Sequence, residues 1–235
     1  MPAGEKPPTR PRKLPRQGRS RATVEVILDA AARVLVERGF ERMTTNHVAR
    51  VAGVSIGSLY QYFPNKDSLV RALLERHVAE AEAMRPAELR RPDLPLRRRI
   101  RLAVEWHLAA HASNPRLHQE LSALGPRIVG DRAIRSFERG VERTIRVVLE
   151  AYRDELRPRD LDVAAFVVAQ SIESLTHAAV LHHPELLDDP RLVDELTRLI
   201  VGYLAALPPP DGGSISPPRA PSAPARARTP PETRS

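Results

Sequence analysis

The stretch TTNHVARVAGVSIGSLYQYFPNKDSL, Thr44 to Leu69, reads as two short helices joined by a tight turn. Gly53 supplies a residue that tolerates positive φ where the turn needs one. Ala49 is small at the point where the two helices must cross closely, and Leu59 places an apolar side chain in the angle between them. Ser55 suits the N-cap of the second helix, because its hydroxyl can accept from an orphan amide of the first turn. The first helix is expected to start at Thr44 or Thr45 and end at Gly53, and the second to span Ile56–Tyr62. Pro64 stops the second helix, and Asn65 caps another whose first turn holds Asp67, a favourable charge against the helix dipole.

Outward from this corner the chain reads as helical throughout. Ile27, Ala31, Val34 and Leu35 recur at helical spacing over Thr23–Arg38, with Gly39 as a left-handed C-cap and Phe40 folding back. The helix after Asn65 is expected to reach about Arg85, where Pro86 ends it. Residues 86–95 hold three prolines and read as a linker. Further helices are expected at Leu96–Ala112, from Asn114-Pro115 to about Leu124, at Asp131–Glu155, at Leu161–His182 and at Pro190–Leu207, with Gly125-Pro126 a break. No alternating strand pattern appears, so the fold class is all-α with about nine helices. The expected organisation is a disordered basic arm (1–20), a helix-turn-helix domain (21–66), a helical body (67–207) and a disordered Pro-rich tail (208–235).

The 235 residues carry a net charge of +8 and no cysteine, which excludes disulfides and thiolate metal sites. Residues 1–22 hold seven Lys or Arg against Glu5, and residues 208–235 hold four Arg against two acids, so residues 23–207 have no net charge. The N-terminal cations beside a DNA-reading corner suit a phosphate-binding arm. The C-terminal ones are read as merely solvated. No run of about 18 apolar residues is present and no apolar core follows the basic N-terminus, so neither a membrane span nor a secretory signal is expected. A cytoplasmic protein is the corresponding expectation.

The residues from Ile27 to Leu69 resemble the TetR family of transcriptional repressors. The resemblance rests on the ILDAA run with Leu35, then Gly39-Phe40, Thr44-Thr45, Val48-Ala49, Ala52-Gly53-Val54-Ser55, Gly57-Ser58-Leu59-Tyr60, Tyr62-Phe63, Asn65-Lys66 and Leu69. Beyond the first third of the chain it becomes a similarity of layout. It implies a DNA-binding head joined by a long helix to a body that binds an effector and dimerises. Repression rather than activation is likewise what the resemblance implies.

In a helix-turn-helix the second of the two helices lies in the major groove. Ile56, Gly57, Ser58 and Gln61 are then the exposed positions near its start. Gln61 can pair with adenine, Ile56 can meet a thymine methyl, and bare Gly57 lets the backbone approach closely. Asn46 is a further candidate for a base contact. Phosphate contacts are expected from Thr45, Ser55, Ser58, Tyr60, Tyr62 and Lys66, and the family resemblance points to Thr45, Ser58, Tyr60, Tyr62 and Lys66 in this part. The competing assignments are that Tyr60 and Tyr62 are core aromatics and Ser55 only a cap. Leu59 and Phe63 are read as core.

One short helix touches few base pairs, so two heads on one double-stranded, palindromic operator are expected, their reading helices about 34 Å apart. By resemblance, the last two helices form a four-helix bundle with a second copy, through Phe166, Gln170, Ser174, Leu196, Ile200 and Tyr203. The competing assignment is internal core. Also by resemblance, a small-molecule effector binds the body and spreads the heads, with Trp106, His107, Ala110, Phe137, Val141 and Leu175 as candidate lining. Periodicity alone favours core over pocket for each of them.

His107 and His111 stand at i and i+4 with His118 nearby, a spacing that can hold zinc. No carboxylate of an established metal motif accompanies them, so neither a metal nor a cofactor is expected. No nucleophile elbow, phosphate loop or zinc-protease signature appears, and no enzymatic activity is expected. The alternative is a helical enzyme or interaction protein with an incidental helix-turn-helix-like corner.

Overall fold

The computed structural model describes residues 18–157 and 160–205. Nine α-helices follow one another among them: α1 (Gly18–Arg42), α2 (Thr45–Ala52), α3 (Ile56–Tyr62), α4 (Lys66–Ala83), α5 (Leu96–Ala112), α6 (Pro115–Val129), α7 (Asp131–Glu150), α8 (Leu161–His182) and α9 (Pro190–Leu204). There is no strand among the described residues, only an isolated bridge from Leu156 to Ala205. The fold is all-α.

Most ends fall where local chemistry puts them. Thr44 caps α2, Ser55 caps α3, Asn65 caps α4 and Asp160 caps α8, each through a side-chain oxygen that accepts from the first turn. Several boundaries depart from expectation. α1 begins at Gly18, inside the segment assigned to a disordered arm; the sequence GRSR there holds no apolar residue and so gave no periodic signal. Gly39 does take positive φ, but with ψ 164 it is an extended kink and not a left-handed cap. The linker contains a 3-10 turn, Ala87–Arg90, and α7 stops at Glu150 before a second such turn, Arg153–Glu155. The expected extension of α9 to Leu207 runs past the described residues, with Ala205 its cap.

The clearest correction is α6. It runs through Gly125-Pro126 to Val129 although Pro126 removes one backbone donor. Buried Leu117, Leu121 and Ile128 on either side anchor it in the head core, and Gly125 lets α7 approach, since a Cβ there would stand 3.3 Å from Ile134.

Two cores organise these helices. The first joins α1, α2, α3 and the start of α4 to Leu117, Leu121 and Ile128 of α6. The second joins α5, α8, α9 and the end of α7. The head is thus braced from the body side by α4 and α6. Arg76 of α4 pairs with Asp29 of α1 at 2.7 Å, and Arg71 donates to the Ile128 carbonyl at 3.1 Å. The 22-residue α8, with mean hydropathy 1.4 over an 18-residue stretch, is long and apolar enough to cross a membrane by length and composition, even without an unbroken apolar run. One third of that stretch is buried here, packed along α7 and against α5.

Candidate nucleic-acid interface

The turn between α2 and α3 is fixed from within. Gly53 is left-handed (φ 67, ψ 26), and its neighbour Val54 donates to the Ala49 carbonyl at 3.0 Å. Ser55 Oγ accepts from the Ser58 amide at 3.0 Å and lies 2.8 Å from the Ser58 hydroxyl. Leu59 is wholly buried, together with Val48, Ala49, Phe63 and Leu69. Burying a leucine fully contributes about 1.5–3 kcal/mol, enough to hold the crossing of two helices this short.

With Leu59 inward, the opposite side of α3 faces solvent. Ile56, Gly57, Tyr60 and Gln61 are exposed, as are Ser55 and, on α2, Asn46. An added Cβ at Gly57 would meet nothing nearer than Ser55 Oγ at 3.9 Å, so the start of α3 presents bare backbone. Thr45 and Ser58 are half-buried at the edge of this face. Thr45 Oγ1 and the Tyr60 hydroxyl share a hydrogen bond of 3.0 Å, which clips α2 to α3. Tyr60 is therefore no core aromatic. Tyr62 is divided: it is half-buried and packs against the head core.

Lys66 departs from expectation. Its ammonium is half-buried, donates to the Phe40 carbonyl at 3.0 Å and stands 4.1 Å from the centre of the Phe40 ring. Arg127 of α6 lies over the same ring at 4.6 Å, so Phe40 carries two cations. Lys66 thus contributes to the fold of the head as well as to its charge. Sequence reading also missed Arg50, exposed one turn after Asn46 on the same side of α2, with a guanidinium nitrogen 2.9 Å from His47 Nδ1. Slight burial, and then the charges of Arg38 and Arg50, lower the His47 pKa. The i, i+4 relation of Asn46 and Arg50 was the available signal.

The residues expected in the body scatter. Trp106 donates from its indole to the Ala81 carbonyl at 2.7 Å, tying α5 to the last turn of α4. Ala110 is buried and His107 half-buried, whereas Phe137 (59% exposed), Val141 and Leu175 are exposed. Of the expected dimer residues, Phe166 (52% exposed) and Ser174 face solvent, and Gln170 and Tyr203 are half-buried. Leu196 and Ile200, each 2% exposed, are core contacts of α9 with its own chain. The basic arm, apart from Gly18–Ser20, and the tail lie outside the described residues.

Two family models match this chain. Residues 27–73 match the bacterial regulatory proteins of the tetR family, and residues 95–204 match a tetracyclin repressor-like C-terminal domain. The uncharacterized HTH-type transcriptional regulator YvkB of Bacillus subtilis is 44% identical over 57 residues, 24% of this chain and 30% of its own length. The nucleoid occlusion factor SlmA of Haemophilus ducreyi is 50% identical over 40 residues, 17% of this chain and 20% of its own length. These two likenesses thus span under a third of those relatives. YhgD of Bacillus subtilis, another uncharacterized HTH-type regulator, is 25% identical over 187 residues, 77% of this chain and 96% of its own length.

Solved structures agree in fold. A TetR-like transcriptional regulator from Rhodococcus sp. RHA1 superposes with TM-score 0.64 at 22% identity, over 81% of this chain and 98% of that one. SmeT in complex with triclosan gives 0.61 at 24% identity, over 85% and 99%. With the turn geometry, the exposed α3 and both halves matched, the chain belongs to the TetR family and is a helix-turn-helix, DNA-binding transcriptional regulator.

Proposed function

We propose that this regulator binds a palindromic operator as a homodimer, acts as a cytoplasmic repressor and leaves the DNA when its body takes an effector. The observation that supports DNA reading best is the solvent-facing side of Ile56, Gly57, Tyr60 and Gln61 behind a fully buried Leu59. In this reading Gln61, Ile56 and Asn46 meet base edges. Thr45, Ser55, Ser58, Tyr60, Tyr62, Lys66 and the bare amides at Gly57 meet phosphates, joined by Arg50. Residues 21–66 act as the head, 67–207 as the body and 1–20 as a basic arm along the backbone.

The dimer reading draws support from α7 and α8. Phe137, Val141 and Val147 on α7, and Val163, Phe166 and Leu175 on α8, are all at least 40% exposed. So much apolar surface on one chain suits a partner copy. In this reading the twofold contact lies on the outer faces of α7 and α8 and includes Phe166, while Leu196 and Ile200 serve the chain's own core. SmeT, with the same fold, is known bound to triclosan, which supports an effector in the body of this chain too.

Sedimentation together with duplex binding at several salt concentrations tests this reading. A dimer whose log affinity falls by about 0.9 per neutralised phosphate with log salt is expected. A monomer with salt-independent or absent duplex binding would return the helical-enzyme and interaction-protein alternatives.

A further inference from the structure

Six titratable side chains from four helices meet inside the body. His77 comes from α4, His107 and His111 from α5, His118 from α6, and Glu173 and His177 from α8. Ring centres are 4.2 Å apart for His107 and His111, 4.1 Å for His111 and His118, and 5.0 Å for His118 and His177. His107/His111 and Glu173/His177 each stand one turn apart on packed helices, so each pair projects to one side.

Part of this cluster satisfies itself. His118 lies 3.1 Å from His77, 2.9 Å from His177 and 3.2 Å from the Ser122 hydroxyl. The other part does not. His107 Nε2 is buried, stands 3.2 Å from Glu173 Oε2 and has no other polar partner. Among the described residues no Lys or Arg pairs with Glu173. His111 Nδ1 is 2.8 Å from the His107 carbonyl, so that nitrogen carries the proton and Nε2 keeps a lone pair.

His111 is buried, and His107 and Glu173 are half-buried beside it; imidazole with a lone pair and carboxylate are the forms in which such side chains ligate a metal.

We propose that His107, His111 and Glu173 bind one divalent transition-metal ion of the zinc class, and that this ion is the effector. Their ligand atoms already lie within 4.8 Å of one another. A tetrahedral ion with bonds of about 2.0–2.1 Å draws them to roughly 3.4 Å, a small rotamer adjustment. These three protein ligands leave the fourth position of the shell to a water molecule. Two imidazoles with one carboxylate favour zinc, nickel, cobalt or copper over magnesium and calcium.

A cleft bordered by Asp29, Arg33, Arg76, Glu80 and Asn114 reaches His77 at the edge of the cluster. The route to the head is short. Leu117, beside His118, and Leu73, one turn before His77, are both buried in the head core. The pull of an ion on α5 and α8 is passed to the two helices that brace α1–α3 through the contacts of His111 with His118 and of His118 with His77. The effector role rests on the operator reading above; the site does not.

Full-length protein stripped with a chelator and titrated with Co²⁺ tests the site. One equivalent per chain is expected, with the visible absorption of a four-coordinate ion, displaced by Zn²⁺. Glu173→Gln and His111→Gln should each weaken binding by about a hundredfold. His182→Gln/His183→Gln, at the exposed C-terminal end of α8, should not change it. Circular dichroism confirms folding, and His107→Gln replaces any variant that unfolds.

In parallel, the affinity for a duplex selected from a random pool is read with and without Zn²⁺. A change of about tenfold, abolished by Glu173→Gln, is expected for a coupling in the usual allosteric range. No saturable Co²⁺ binding, or binding undiminished in both variants, overturns the site. Stoichiometric binding with unchanged duplex affinity overturns the effector role. Intact Co²⁺ binding by a protein that recognises no duplex under any condition overturns the operator reading and leaves the site standing.

Discussion

The hydroxyls of Thr45 and Tyr60 lie 3.0 Å apart, one in the first turn of α2 and the other near the end of α3. Both reach toward the face that would meet DNA, so each orients the other for a phosphate. Tyr60→Phe keeps the ring and deletes the bridge. Because Tyr60 is 43% exposed, the melting temperature should hardly change. Affinity should fall about tenfold on every duplex alike, the equivalent of about 1.4 kcal/mol. Fluorescence anisotropy on two unrelated duplexes checks this; a loss confined to one of them would make Tyr60 a base-reading residue.

Lys66 and Gln61 should separate cleanly. Lys66→Ala removes the donor to the Phe40 carbonyl and the cation over its ring, so it should destabilise the head by about 1–2 kcal/mol. It should also weaken all duplexes and make the salt dependence shallower by about one phosphate. Gln61→Ala should leave the melting temperature alone and relax preference at one base pair per half-site, by about 1–3 kcal/mol. Chemical denaturation and competition binding measure the two effects; an identical profile for both variants would misplace the reading face.

Leu59 and Gly53 set the angle of the corner. Leu59→Ala opens a cavity at a fully buried position and should cost about 2–5 kcal/mol. Gly53→Ala forces a side chain onto φ 67 and should cost about 1–2 kcal/mol, although nothing crowds its Cβ. Urea unfolding of each variant, followed by duplex binding of the folded fraction, distinguishes loss of fold from loss of aim.

Phe166 and Ile200 divide the dimer from the core. Phe166→Asp, at a residue 52% exposed, should leave a folded monomer at micromolar concentration, and its operator affinity should collapse with it. Ile200→Ala, at 2% exposed, should lower stability by about 2–4 kcal/mol without favouring the monomer. Sedimentation velocity reads both; a dimeric Phe166→Asp would move the interface elsewhere.

The parts legible in the sequence were those written in local chemistry. Thr44, Gly53, Ser55 and Asn65 cap or turn the chain through neighbours three or four residues away, and the ends of α2 and α3 fall as expected. Where tertiary packing overrides a local rule the reading failed. Pro126 signals a break that the apolar contacts of Leu121 and Ile128 cancel. Periodicity marked Leu196 and Ile200 as apolar but not which partner buries them. Lys66 looked free because its partner, Phe40, is 26 residues away. Glu173 reaches His107 and His111 only through the packing of α8 on α5, so its role beside them was invisible in a linear pattern.

The reading of α3 as a groove-inserted helix, presented twice by a symmetric pair, is tested most directly by selecting bound duplexes from a random pool with the full-length protein. An inverted repeat should emerge with half-site centres one helical turn apart or slightly more, and Gln61→Ala should relax one position in each half. Recovery of unselected sequence, or of a single asymmetric site unaffected by Gln61→Ala, would contradict it.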